Sequence, residues 1–419
     1  LDQEDIMDNT ALQKILERID SYKNETIEIQ KGLTAIPALS PENGGTGEKE
    51  KSDYIKSLLE KLSFDSIEEI DAPDPRVPAG MRPNLIALKK GKNSDRTIWI
   101  MSHMDVVPPG DREKWNTEPY EAVVDRDKIY GRGTEDDQQG FVSSYLAVKA
   151  FEEEGITPEL NIGLVIVADE ESGSKFGIQH VIKERKELFK SDDIIIIPDA
   201  GDPEGVTIEV AEKSILWIKC ETQGKQTHGS TPEKGKNAHK AAAHFIVKMN
   251  ELYKVYDKND PLYDPPISTF EPTKKENKVD NINTIPGSDT VYFDCRILPD
   301  YSIDEIKGTV RKWAHEIENE FGVTINLTFP QSESAPPPTS VDAPAVGALK
   351  NAIKDLRKVE AKTIGIGGGT VAAYFRRANL PAVCWCTLED TLHAPNEFCL
   401  IKNVLDDAKI FAHIGLQTL

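Results

Sequence analysis

Long apolar runs are missing from this chain of 419 residues. No uninterrupted stretch approaches the roughly twenty apolar residues that a membrane-spanning helix needs, so no membrane partner is expected. Positive charge is short as well. The 50 Lys and Arg stand against 71 Asp and Glu, for a net charge of -21. There is no basic excess with which to displace counterions from a polyanion, and no nucleic-acid partner is expected. Cysteine is sparse: Cys220, Cys295, Cys384, Cys386 and Cys399 are odd in number and scattered. They read as reduced thiols rather than a disulfide framework, which makes the cytoplasm the expected compartment. Internal repeats and low-complexity tracts are absent, and no charged-then-apolar signal segment opens the chain, although its first residue, Leu1, leaves room for a removed leader.

What is present is ordinary globular composition, 38% hydrophobic and 29% charged, in a chain longer than one core usually supports. Two domains are expected. An amphipathic helix over Asp2 to Tyr22 places Leu12, Ile15, Leu16 and Ile19 on one face. A breaker-rich loop, Pro37 to Gly47, leads to a helix around Lys51 to Leu62. Leu85 to Leu88 and Thr97 to Met101 predict neighbouring strands, and residues 141 to 154 a helix. The continuous apolar runs Asn161 to Ala168 and Ile194 to Ile197 suit central strands buried on both faces. With a helix at Lys175 to Phe189, they give the β-α-β rhythm of a mostly parallel sheet.

The pattern changes after about Ala211. A strand (Ile215 to Cys220), a helix (Ala238 to Tyr253), an alternating strand (Thr290 to Arg296), a helix (Ile303 to Phe321) and a strand (Thr324 to Phe329) resemble a small β-α-β-β-α-β sandwich. A helix at Ala343 to Leu356 and a strand at Ala382 to Trp385 then belong with the first sheet. The expected fold is α/β: a mostly parallel-sheet catalytic domain (1–212 and 330–419) interrupted by an α+β, ferredoxin-like lid (213–329).

Metal-seeking side chains follow the ends of the apolar runs: His103 and Asp105, Glu170 and Glu171, Asp199, and His393. In an open α/β sheet, ligands bind beyond the carboxyl ends of the strands, so groups far apart in sequence converge there. His103-x-Asp105 puts both side chains on one face of an extended segment, with Asp105 placed to take the second ring N–H of a metal-bound imidazole. Alone, this pair reads better as a surface pair than as a metal site. In Gly131-Arg132-Gly133-Thr134-Glu135-Asp136-Asp137, adjacent carboxylates suit either an acidic helix start or a bridge between two ions. Asp169-Glu170-Glu171 is harder to explain without a cation, because three adjacent carboxylates repel one another. One Glu of the pair would bind metal while its neighbour takes a proton from water. Two His and three carboxylates suit a pair of borderline ions such as Zn²⁺.

These segments resemble the M20 family of co-catalytic metallopeptidases, which holds carboxypeptidases, dipeptidases and N-acyl-amino-acid deacylases. The likeness runs from Ile36-Pro37 through Ser102 to Val107, Trp115 to Tyr120, Gly131-Arg132-Gly133, Asp169 to Gly173 and Thr227-His228-Gly229-Ser230 to His393. It implies two Zn²⁺ ions, with Co²⁺ or Mn²⁺ as alternatives. His103 and Asp199 would hold one ion, Glu171 and His393 the other, and Asp136 both. Glu170 becomes the general base and Asp105 the support of His103. The resemblance also implies a cis bond at Asp136-Asp137, a lid histidine at His228 that stabilises the oxyanion, and a homodimer formed through the lid. It places Asn283, Arg296, Gly368 and Gly369 at the substrate, with Arg296 suited to a carboxylate through its planar fork.

The chain departs from the common Asp-Asp-Lys-Gly pattern at Asp136-Asp137-Gln138-Gln139-Gly140, which leaves the surroundings of Asp136 to be tested. The expected reaction is hydrolysis of an amide bond in a small peptide or an N-acyl amino acid, desuccinylation included. The alternative is a catalytically silent relative, with a structural metal site and a lid that serves as an assembly surface.

Overall fold

The computed structural model of the chain describes residues 3–276 and 279–418. Asp2, at the expected start of the first helix, lies outside them; the helix runs Gln3–Asp20 and buries Ile15 and Ile19. The chain forms two compact units, Leu1–Val210 with Thr339–Thr363 and Thr370–Leu419, and Ala211–Pro338 with Ile364–Gly369. Against the segment 213–329 read from the sequence, the second unit runs on to Pro338 and takes in the glycine-rich stretch. Hydrogen bonds from Lys213 N to Ile366 O (2.9 Å) and from Arg296 Nη1 to Gly367 O (2.9 Å) hold that stretch within the unit.

An eight-stranded sheet orders its strands Ser66–Glu69, Leu85–Lys89, Leu160–Val167, Asn93–His103, Ile194–Ile197, Ala382–Cys384, Thr207–Glu212 and Lys362–Ile366. The parallel arrangement expected from the sequence is its centre: Leu160–Val167, Asn93–His103, Ile194–Ile197 and Ala382–Cys384 are mutually parallel. Strands flanking that centre pair antiparallel. The two strands expected to be neighbours, Leu85–Lys89 and Asn93–His103, are not paired, because Leu160–Val167 lies between them. The connection from Lys89 to Asn93 is short enough for a hairpin, yet the two strands pair instead with Leu160–Val167, one on each of its edges.

Burial explains why these strands read as continuous apolar runs. Leu160–Val167 and Ile194–Ile197 are buried at every position. Each fully buried Ile contributes about 1.5–3 kcal/mol relative to exposure. Trp99, Met101, Val165, Val167, Ile195 and Ile197 pack on one face with Phe189 and Phe375. Gly163 is required there. It pairs with Trp99 across the strands, and a Cβ would meet the indole at 2.1 Å. The helix expected over Lys175 to Phe189 is shorter, Ile178–Glu184, followed by a turn of 3₁₀ helix, Lys186–Leu188. Gly177 sets its start, since that backbone lies so close to Ala168 O that a Cβ would sit 1.9 Å away.

The second unit is a sheet in the order Thr269–Glu276, Ser288–Ile297, Ser214–Gln223 and Thr324–Thr328, with every pair antiparallel. Helices Ala238–Met249 and Ile303–Phe321 complete the β-α-β-β-α-β order. Alternation along Ser214–Gln223 sends Leu216, Ile218 and Cys220 into a core with Phe245, Phe293 and Trp313, while Trp217 stays exposed. Thr269–Glu276 was not singled out in the sequence. It is an edge strand, mostly exposed, carrying Pro272 and charged residues, as edges that resist further pairing do. No helix among the described residues is long and apolar enough to cross a membrane.

Candidate metal centre

The carboxyl ends of the four central parallel strands supply most of the site. His103 is the last residue of its strand, in register with Val167, and Met104 N continues the pairing to Val167 O at 2.8 Å. Past Val167, Asp169 adopts a left-handed conformation (φ 63°) that turns the chain into the short 3₁₀ turn Glu170–Ser172. Asp199 follows Ile194–Ile197 by two residues, and His393 lies in the loop after Ala382–Cys384. Asp136 arrives from the turn before the helix Gln138–Glu153, and its bond to Asp137 is cis.

These side chains meet. His103 Nε2 lies 2.8 Å from Asp136 Oδ1 and 3.7 Å from Asp199 Oδ1. His393 Nε2 lies 3.0 Å from Asp136 Oδ2 and 3.1 Å from Glu171 Oε2. The two oxygens of Asp136 thus face different imidazoles. Ligand atoms of His103, Asp136 and Glu171 gather within 4.8 Å of one another, as do those of His103, Glu170 and Asp199. Glu170 therefore stands inside the cluster, beside the residues expected to bind metal.

Asp105 acts differently from the expectation. His103 Nδ1 points to the Asp105 backbone carbonyl at 3.0 Å, with the nearer carboxylate oxygen at 3.6 Å. A proton on Nδ1 leaves Nε2 as the electron-pair donor toward the cluster. The Asp105 carboxylate is occupied elsewhere, accepting the backbone N–H groups of Glu170 and Glu171 at 3.0 Å each. One residue thus orients the imidazole with its main chain and the paired glutamates with its side chain. The Gln138 departure leaves the site assembled, and its Oε1 accepts from Thr34 Oγ1 at 3.0 Å.

Electrostatics give the cluster a deficit of positive charge. Burial, then the charge of Asp199, pushes the Glu170 carboxyl well above its usual range. Burial likewise raises Asp199, Glu171 and Asp137. For His103, burial works against the proton, but the nearby carboxylates of Asp105, Asp136 and Asp199 outweigh it and lift the imidazole well up. His393 is raised to about 10 by its bonds to Asp136 and then Glu171. Asp136 opposes burial through its two histidines and falls below the usual carboxylate range. Closely spaced buried carboxylates with two imidazoles are a donor set of nitrogen and oxygen that fits borderline divalent cations.

The remaining predicted residues belong to the second unit. His228 is exposed, its Nδ1 2.8 Å from Ser230 Oγ, and Gly229 N donates to Asn283 O at 2.6 Å, so His228 and Asn283 sit side by side. Gly368 has open space where a side chain would be, and Gly369 nearly so, with Ile215 at 3.9 Å. Arg296 differs from the expectation of a free fork. Its Nε and Nη2 grip both oxygens of Asp294 at 2.6 and 3.0 Å, and Nη1 donates to Gly367 O. The i,i+2 spacing on one strand face makes that pairing available within the chain. Sequence reasoning passed over Glu135 and Glu397, both buried beside the ligands; their only signal was adjacency to Asp136 and His393.

An α/β sheet whose parallel strands deliver histidines and carboxylates to a single charged cluster defines a metal-dependent hydrolase. Residues 99–417 match the family described as Peptidase family M20/M25/M40, and the chain belongs to that family. It is a metallohydrolase that acts on amide bonds. An uncharacterised metallohydrolase of Methanocaldococcus jannaschii is 41% identical over 405 residues, spanning 93% of this chain and 98% of that protein. A succinyl-diaminopimelate desuccinylase of a Sulfurovum species is 29% identical over 323 residues, 77% of this chain and 83% of that one. Among solved structures, a tripeptidase of Staphylococcus aureus shares the fold with a TM-score of 0.71 at 22% identity, over 94% of this chain and 97% of its own. An M20 metallo-carboxypeptidase of Sulfolobus solfataricus gives 0.66 at 20% identity, over 94% and 99%.

Proposed function

We propose that the chain is a two-metal amidohydrolase that cleaves a dipeptide, a small peptide or an N-acyl amino acid. His103 and Asp199 hold one ion, Glu171 and His393 the other, and Asp136 both; Zn²⁺ is the expected metal, with Co²⁺ or Mn²⁺ as alternatives. Such a pair, when bound, supplies Lewis acidity toward an amide carbonyl and lowers the pKa of water to near neutrality. The single observation that carries this reading is Asp136, with one carboxylate oxygen toward each histidine.

Glu170 is the general base. Its buried carboxyl, raised in pKa, takes the proton of the attacking water and returns it to the leaving nitrogen, work that favours a group tuned toward neutrality. Asp105 holds the backbone of Glu170 and Glu171 so that one carboxylate serves as ligand and the other as base. The second unit serves as a lid and as the surface of a homodimer, with His228 stabilising the oxyanion. Asn283 and the open backbone at Gly368 and Gly369 receive the substrate, and Arg296 shapes that glycine-rich loop. The cytoplasm is the proposed compartment.

Substrate class is supported by relatives named for a desuccinylase and a tripeptidase. A catalytically silent relative is not favoured beside relatives with such names. The test is a screen of the metal-loaded protein against dipeptides, tripeptides, N-acetyl and N-succinyl amino acids, with Glu170→Gln as control. Release of free amine by the native protein alone is expected. No hydrolysis of any of these, or equal hydrolysis by the variant, overturns the proposal.

A further inference from the structure

Two loops carry the ligands that meet at His393, and they grip each other with carboxylates. From the loop after His393, Glu397 Oε1 accepts the backbone N–H groups of Glu135 and Asp136 at 3.0 and 3.1 Å. Its Oε2 accepts Gly133 N at 3.1 Å and Arg132 Nη1. In return, Glu135 reaches from the Asp136 loop into the His393 loop, where Oε2 accepts Thr391 N and Thr391 Oγ1 at 2.6 Å each and Oε1 accepts Glu389 N. Arg132 completes the exchange, donating from Nη2 to the carbonyl of His393 itself at 3.1 Å.

The three side chains are closed to solvent, with Glu397 0% exposed, Arg132 2% and Glu135 3%. Water has no ready access to replace those bonds, and a buried acceptor that loses its donors is not easily repaired. His393 and Asn396 also hold left-handed backbone conformations (φ 60° and 62°), which surrounding bonds must maintain. Neither glutamate is among the grouped ligand atoms, so their bonds act on the loops that present Asp136 and His393.

We propose that Glu135, Glu397 and Arg132 form a reciprocal clasp that fixes Asp136 relative to His393 and so tunes the affinity of the ion site those two residues share. They are positioning residues. The inference rests on the two-ion reading above.

The test is titration of Co²⁺ into metal-free protein, followed by calorimetry and visible absorption, for the native chain, His393→Ala, Glu397→Gln and Glu135→Gln. The binding step that His393→Ala abolishes identifies the site. Each clasp variant is expected to weaken that step by about 10- to 100-fold, as lost outer partners of metal ligands do, and to weaken the other step, which shares Asp136 but not His393, by clearly less. Fewer than two ions in the native chain overturns the two-ion reading. Two ions in the native chain with unchanged steps in either folded clasp variant overturns the clasp alone. Equal weakening of both steps, or failure of both clasp variants to fold, shows a scaffold instead and overturns it too; if one fails to fold, the other decides.

Discussion

Asp136 stands between two imidazoles: its Oδ2 lies 3.0 Å from His393 Nε2 while its Oδ1 lies 2.8 Å from His103 Nε2. Burial pushes the Asp136 carboxyl up as it does the surrounding acids, but hydrogen bonds to His103 and His393, and then their charge, outweigh it and bring its pKa below the usual range.

Replacing Glu170 by Gln keeps size and removes the proton acceptor. Bound metal, measured by elemental analysis, is expected to stay at the native level, while kcat falls about 10²- to 10⁴-fold, the range for a lost general base. Loss of metal together with activity would instead make Glu170 a ligand, as its proximity to His103 and Asp199 allows.

Metal uptake should release protons. His393, raised from its ordinary 6.5 to about 10 by Asp136 and Glu171, is protonated in the folded, metal-free protein at neutral pH, and a ligand imidazole must be neutral. Apparent affinity for Zn²⁺ therefore climbs with pH from neutrality up to about 10. The sign for stability is opposite: a raised folded pKa stabilises the metal-free fold fully below 6.5, and that contribution is lost as pH rises through about 10. Calorimetry in buffers of different ionisation enthalpy measures the protons, and zero release at pH 7 contradicts the assignment of His393 as a ligand.

Asp294→Asn is expected to loosen the grip on Arg296 and free its fork. KM for substrates bearing a terminal carboxylate then falls several-fold with kcat little changed. A rise in KM would show that the Asp294 pairing itself builds the substrate loop.

The buried pair Arg376 and Glu209 gives a stability prediction away from the site. Arg376 is 4% exposed and Glu209 2%, with Nη2 to Oε2 at 2.8 Å. Arg376→Leu leaves Glu209 buried without its cation and is expected to destabilise by about 3–5 kcal/mol in urea unfolding. Adding Glu209→Leu should recover much of that loss; if the double variant is no better than the single, the pair is not the source.

Much of this centre was legible because the ligands stand where apolar runs stop: Ile194–Ile197 announces Asp199, and Leu160–Val167 announces Glu170 and Glu171. Helix Ile303–Phe321 was equally plain, its buried Ile306, Val310, Trp313 and Ile317 recurring at helical spacing. Strand order was not legible, since a strand that is apolar on both faces accepts either neighbour, and the pairing of Leu85–Lys89 with Leu160–Val167 is settled by the whole sheet. Nor was the destination of the Asp105 carboxylate. Period-two geometry put it beside His103, but two amides at the end of an adjacent strand compete for the same oxygens and win. Glu135 and Glu397 were hidden for a similar reason: most of their partners are main-chain groups, and any sequence supplies those.

Because His103 ends one parallel strand and Glu171 and Asp199 stand just past the ends of its two neighbours, the interval between these three is measured out by the ladder of main-chain hydrogen bonds, a ruler graduated at about 4.8 Å. Side chains inside the sheet can be exchanged for others of similar bulk without recalibrating that ruler. Mutational drift in the interior should therefore alter how firmly the protein holds together well before it alters which cation the protein selects.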